Sequence, residues 1–212
     1  MVRPNEDFRR ARFTVAIAAV TAAAWLLSLS LPLDYLALRG GFIPARLDSG
    51  TWPGLPVWLT PLSATLLHGG FVHLLFNCMF LLICGRAVEP ILGPKNLVAL
   101  YLIGAFAAAA AQWAAGPETQ VPMIGASGAV SAVIGAYAML FGRQKLRVAN
   151  PTLGLWLNAL WLGAAWVVLQ LLIGFTDTLS AGPRTAIAAH IGGFLAGLVL
   201  AKPLLLLRWR GA

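Results

Sequence analysis

The chain has 212 residues, 59% of them hydrophobic and only 10% charged, with a formal net charge of +8 and a mean hydropathy of +0.82. Uncharged stretches near the length of a bilayer crossing recur between short polar breaks, which excludes a soluble globular domain and points to an integral membrane protein. The basic residues gather at the ends of apolar runs rather than along one face, so the charge reads as a topology signal and not as a nucleic-acid footprint.

Charge and Pro/Gly breaks delimit six candidate transmembrane helices, near residues 12–31, 66–85, 96–115, 124–142, 153–174 and 185–207. No linker divides them, so residues 1–212 are expected to form one all-α domain. The first span follows Arg3, Arg9, Arg10 and Arg12 but is too long for a signal peptide. Residues 32–60 are too interrupted by proline, glycine and charge to cross. They carry Phe42, Trp52 and Trp58, which favour the headgroup zone, and so are expected to lie partly in the outer leaflet. Cys78 and Cys84 share the second span, a spacing that suits neither a disulfide staple nor a metal motif.

Alternate loops carry the basic clusters: the N-terminal tail, the turn with Arg86 and Lys95, the turn with Arg143, Lys145 and Arg147, and the C-terminus with Lys202, Arg208 and Arg210. The positive-inside rule therefore predicts both termini in the cytoplasm, in agreement with an even number of crossings. A bacterial cytoplasmic membrane is the expected address.

With that topology the second, fourth and sixth spans run in the same direction, and the distance to the next cytoplasmic charge measures depth. His73 precedes Arg86, Ser127 precedes Arg143 and His190 precedes Lys202 by spacings that correspond to roughly 20, 24 and 18 Å of helix. All three fall in one layer, nearer the outer surface than the cytoplasm. Polar side chains at such depth are costly in hydrocarbon and point to chemistry.

Pro122 and Gly125 discourage a helix from starting before about Ser127, so the fourth span should be short and begin inside the membrane. Its orphan N–H groups and positive dipole end would then lie beside the Ser127 hydroxyl. Gly125 and Gly128 would let a substrate backbone approach. His73 and Asn77 are four residues apart on one helix face, where each can donate to a developing oxyanion. Gly193 and Gly197 form a small-residue stripe, matched by Gly128, Ala132 and Gly135, and close packing of these stripes would bring His190 to Ser127.

From His68 to Gly197 the chain resembles the rhomboid intramembrane serine proteases. The residues that carry the resemblance are His68-x4-His73-x3-Asn77, then Gly125-Ala126-Ser127-Gly128, then Ala189-His190-x2-Gly193-x3-Gly197. The resemblance implies a six-helix rhomboid-like bundle in which Ser127 is nucleophile and His190 general base. His73, Asn77 and the Ser127 N–H would stabilise the oxyanion, and Glu89 would be a structural glutamate after the second helix; His68, near the headgroups, reads as structural. Two features depart from the family pattern. Trp58 is followed by Leu59 where many members carry arginine, and Ser131 stands where many place an aromatic residue against the histidine.

The implied reaction is hydrolysis of a peptide bond in or near a transmembrane segment, by a Ser–His dyad and an acyl-enzyme. No Asp or Glu sits in the spans at this depth to complete a triad. An imidazole with an ordinary pKa of about 6.5 is largely neutral at neutral pH, as a base must be. No metal or other cofactor is required. The expected partners are membrane-protein substrates entering from the lipid, with helix-breaking residues that ease local unwinding. The alternatives are a non-catalytic rhomboid-like binder of transmembrane helices and a small transporter. The former is expected to lose Ser127 or His190, and the latter to show charged relays or repeated broken helices.

Overall fold

The computed structural model describes residues 11–49, 54–141, 150, 153–154, 156–157, 161 and 186–209. Six helices of eight or more residues organise them, beside two single-turn helices at Arg46–Ser49 and Thr60–Ser63: α1 (Arg12–Ser28), α2 (Leu33–Gly40), α3 (Phe71–Leu92), α4 (Pro94–Ala115), α5 (Ser127–Phe141) and α6 (Ile187–Trp209). Among the described residues there is no strand, only an isolated antiparallel bridge between Phe42 and Met123. Helices α3, α4 and α6 are each long and apolar enough to cross a membrane, while α1 and α5 are shorter apolar helices. The expected span at 153–174 and the basic cluster at 143–147 lie outside the described residues, apart from isolated positions in the former.

Several boundaries differ from those read in the sequence. The second span begins at Phe71 rather than near 66, because Gly69 and Gly70 break the helix, and runs on to Leu92 rather than ending near 85. It passes Arg86 and Glu89 and takes Pro90 into its last turn, where the ring removes one N–H from the helical ladder. Gly93, with φ of +84°, then turns the chain directly into α4. The first span ends at Ser28, three residues early. Residues 32–60 include the amphipathic α2 and a short 3₁₀ turn at Val57–Leu59, with Leu33, Tyr35, Leu38 and Trp58 exposed. Arg39 stacks over the Tyr35 ring at 4.6 Å.

Helix α5 is the hub, packed against α3, α4 and α6, with Gly128 to Val133 all buried. Small residues permit this. A Cβ on Gly104 would strike Ala132, one on Gly197 would strike the Ala132 carbonyl, and one on Gly135 the Phe194 carbonyl. Lipid and protein are similarly apolar, so close backbone packing rather than a hydrophobic gradient holds such helices together. The outward side chains, including Leu75, Phe76, Ile83, Leu195 and Val199, are apolar and exposed as a lipid-facing surface requires.

Two polar clamps close the end of the bundle formed by the α3–α4 turn. The Glu89 carboxylate, 1% exposed, accepts from the Phe13 N–H (3.1 Å), the Thr14 N–H (2.7 Å) and the Thr14 hydroxyl (2.7 Å), capping the otherwise unsatisfied start of α1. Thr14 reaches it because Gly85 carries no side chain. Asn96 donates to the carbonyls of Leu92 (3.0 Å) and Leu204 (2.9 Å), tying α3 and α4 to α6. Arg208 donates to the Pro90 carbonyl beside it. Cys78 and Cys84 are both free.

Candidate active site

Gly125 has φ of +114°, a backbone conformation that L side chains rarely adopt. It turns the chain so that α5 starts at Ser127, not at residue 124, and leaves the serine on the first helical position. The approach to this turn is anchored on both sides. Phe42 and Met123 exchange backbone hydrogen bonds (3.0 and 2.7 Å), the Ala45 N–H donates to the Thr119 carbonyl (3.1 Å), and the Gly125 N–H donates to the Ala64 carbonyl (2.8 Å).

Ser127 Oγ and His190 Nε2 stand 2.6 Å apart across the α5–α6 interface. A neutral imidazole protonated on Nδ1 accepts the serine hydroxyl at Nε2, an arrangement that would suit proton transfer from a serine nucleophile. The interface sets this distance through Gly193, one turn beyond His190. A Cβ there would collide with the Gly128 carbonyl and stand 3.3 Å from the Ser131 Cβ. Ser131, noted in the sequence as a departure from the family pattern, is wholly buried, and its hydroxyl has no hydrogen-bond partner among the described residues.

His73 lies across the site from His190. Its Nδ1 accepts from the Gly69 N–H (3.4 Å), which assigns the ring proton to Nε2. That edge faces Gly125 so closely that a Cβ on the glycine would sit 2.7 Å from both Cε1 and Nε2. Asn77 is buried and donates one N–H to the His73 carbonyl (2.9 Å), which leaves the second amide hydrogen for another acceptor. His68 is buried behind this wall, its Nε2 accepting from the Ala126 N–H (3.4 Å).

A recess beside the serine has room for about one water. Thr65, Ala105, Met123, Gly125, Ser127 and Gly128 contribute to its lining. A Cβ on Gly128 would itself strike Ala108, so this glycine also serves the contact between α5 and α4. Gly197, two turns from His190, belongs to the helix interface alone, and Glu89 belongs to the α1 cap. Among the described residues no group of three or more His, Cys, Asp or Glu converges as a metal site would.

Sequence reasoning singled out each of these polar side chains but missed their backbone partners. The Gly69 amide on His73, the Ala126 amide on His68 and the Phe42–Met123 bridge carry no residue-type signature. Asn96 left a signal, as an amide next to Lys95 at the start of an apolar span.

Comparison with known proteins agrees with this architecture. The family model described as Rhomboid domain matches residues 56–207. RHOMBOID-like protein 5 of Arabidopsis thaliana is 32% identical over 145 residues, covering 68% of this chain and 43% of the relative. Rhomboid protease GlpG of Pectobacterium atrosepticum is 34% identical over 140 residues, covering 66% and 46%. Rhomboid protease AarA of Providencia stuartii is 26% identical over 219 residues, covering 90% and 74%. The chain thus spans less than half the length of the first two and about three quarters of the third. With a family match over most of its length and a bundle of apolar helices around the Ser127–His190 pair, this integral membrane protein belongs to the rhomboid family.

Proposed function

We propose that the protein is an intramembrane serine endopeptidase that cuts peptide bonds in or near transmembrane segments of other membrane proteins. The observation that carries this reading is the 2.6 Å contact between Ser127 Oγ and His190 Nε2. The similarity to the bacterial rhomboid proteases GlpG and AarA supports it.

In this reading the substrate enters from the lipid and unwinds locally beside Ser127. Ser127 Oγ attacks the scissile carbonyl carbon while His190 Nε2 takes the hydroxyl proton, giving a tetrahedral oxyanion. The Ser127 N–H at the helix start, His73 Nε2–H and the second Asn77 amide hydrogen are the donors for that oxyanion. His190 passes its proton to the leaving amine as the C–N bond breaks, leaving an acyl ester on Ser127. Water, deprotonated by His190, then hydrolyses the ester and restores the serine. Gly125 and Gly128 keep the approach free of side chains.

The same reading makes residues 1–212 one rhomboid-like domain of six crossings with both termini in the cytoplasm of a bacterial cell. The bacterial relatives and the distribution of basic residues support that placement.

The test combines labelling and cleavage in detergent or proteoliposomes. Wild type should react with a serine-directed fluorophosphonate and cut a reporter transmembrane substrate, whereas Ser127→Ala and His190→Ala should do neither. Cleavage that survives Ser127→Ala rejects the site. A folded wild type that neither labels nor cleaves favours a binder of transmembrane helices.

A further inference from the structure

His68 lies outside the α5–α6 pair that holds the dyad, in the turn ahead of α3, yet only 2% of its surface is exposed. Two contacts account for its orientation. Its Nε2 accepts the N–H of Ala126, the residue before the nucleophile (3.4 Å), and its ring meets that of His73 edge-on, with centroids 5.1 Å apart and planes at 65°. An imidazole nitrogen accepts only when it carries no proton, so the neutral ring protonated on Nδ1 makes this bond.

The geometry gives the pair of contacts a joint effect. The two amides ahead of the serine are both drawn toward the 64–68 segment, Gly125 N–H to the Ala64 carbonyl and Ala126 N–H to His68. Together with the Ala126 carbonyl, which accepts the Val130 N–H (2.9 Å), they hold Ala126 from both sides and so orient the peptide that carries the Ser127 N–H, an orphan donor at the helix start. The edge contact meanwhile buttresses the ring whose Nε2–H faces Gly125. We propose that His68 is a positioning residue that sets the two walls of the oxyanion pocket, the 125–127 turn and the His73 ring, in register with each other. The proposal rests on reading Ser127 and His190 as the dyad. It makes His68 a determinant of turnover rather than of folding alone.

The experiment compares His68→Leu, which removes the acceptor, with His68→Gln, whose Oε1 can still accept from Ala126. Both are assayed for kcat and KM on the reporter substrate, with kcat expressed per Ser127 site titrated to completion by fluorophosphonate, and for thermal unfolding. The expected result is a loss of about 10–100-fold in kcat per site for His68→Leu with KM within about twofold, and recovery of most of that loss in His68→Gln. A kcat per site within about twofold of wild type in His68→Leu, or a glutamine variant as slow as the leucine one, overturns the proposal. Should His68→Leu not fold, nitrogen NMR on histidine-labelled wild type decides. An unprotonated Nε2 coupled to the Ala126 amide is expected, and a protonated Nε2 overturns it. Ser127→Ala runs alongside, because cleavage surviving there sinks the dyad itself, whereas a labelled, active wild type with an indifferent His68 sinks this inference alone.

Discussion

Gly193 on α6 rests on the Gly128 carbonyl of α5 with no room for a Cβ between them, one turn from His190 and one residue from Ser127. The Ser127–His190 distance is therefore governed by main-chain contact, with only the small Ser131 side chain beside it.

Gly193→Val should push the two helices apart. Overpacking of this kind costs about 1–3 kcal/mol of stability, and a displacement of about 1 Å at the reacting atoms costs about 10²-fold in rate. A lower unfolding temperature and a cleavage rate reduced at least tenfold are expected, measured on the purified variant. Wild-type turnover in Gly193→Val would show that this contact does not set the dyad.

The proposed dyad makes Ser127 and His190 a single catalytic unit, so their losses should not add. Ser127→Ala, His190→Ala and the double variant are expected to fall to the same residual cleavage rate in a double-mutant cycle. Additive losses would mean the two side chains contribute separately.

His73→Ala and Asn77→Ala should each slow turnover by up to about 10²–10³-fold while leaving the unfolding temperature close to wild type. Single-turnover cleavage and thermal scans separate the two effects. Unchanged rates in both variants would reduce the pair to packing residues.

Glu89→Gln replaces one accepting carboxylate oxygen with a donor that faces N–H groups. The expected cost is about 1–3 kcal/mol of stability with little change in kcat per titrated site, read from unfolding in mild detergent. Thr14→Val should lose less, because only the hydroxyl bond goes and both amide bonds to Glu89 remain.

Ser131→Ala removes a buried hydroxyl that has no partner among the described residues. A gain in stability of up to about 1 kcal/mol, or no change, is expected, with cleavage unaffected. A marked loss of activity would instead assign that hydroxyl a part in holding His190.

The side chains of the site were legible in the sequence because polar residues are scarce in apolar spans. His190 stood out by the cost of an intramembrane imidazole, whereas Ser127 and His73 gained weight from sharing its depth, counted to the basic ends, and Asn77 from sharing a helix face with His73; the roles of all four came from the rhomboid resemblance. The glycine stripes on the fourth and sixth spans told which faces meet. Helix boundaries were less legible, because charge was taken as the end of a span. Arg86 and Glu89 instead lie within α3, Glu89 being satisfied by the amides of another helix rather than by water. Main-chain contacts such as Phe42 with Met123 escaped the sequence altogether, since every residue type offers the same amide and carbonyl.

The cap on α1 has a consequence for biogenesis. Thr14 emerges from the ribosome 75 residues before the carboxylate that will receive it, so the leading helix must wait with its first amides unpaired through synthesis of the second hydrophobic segment. Insertion can begin at once, but the N-terminal end gains its carboxylate cap only after Glu89, near the end of the next hydrophobic segment, has been translated.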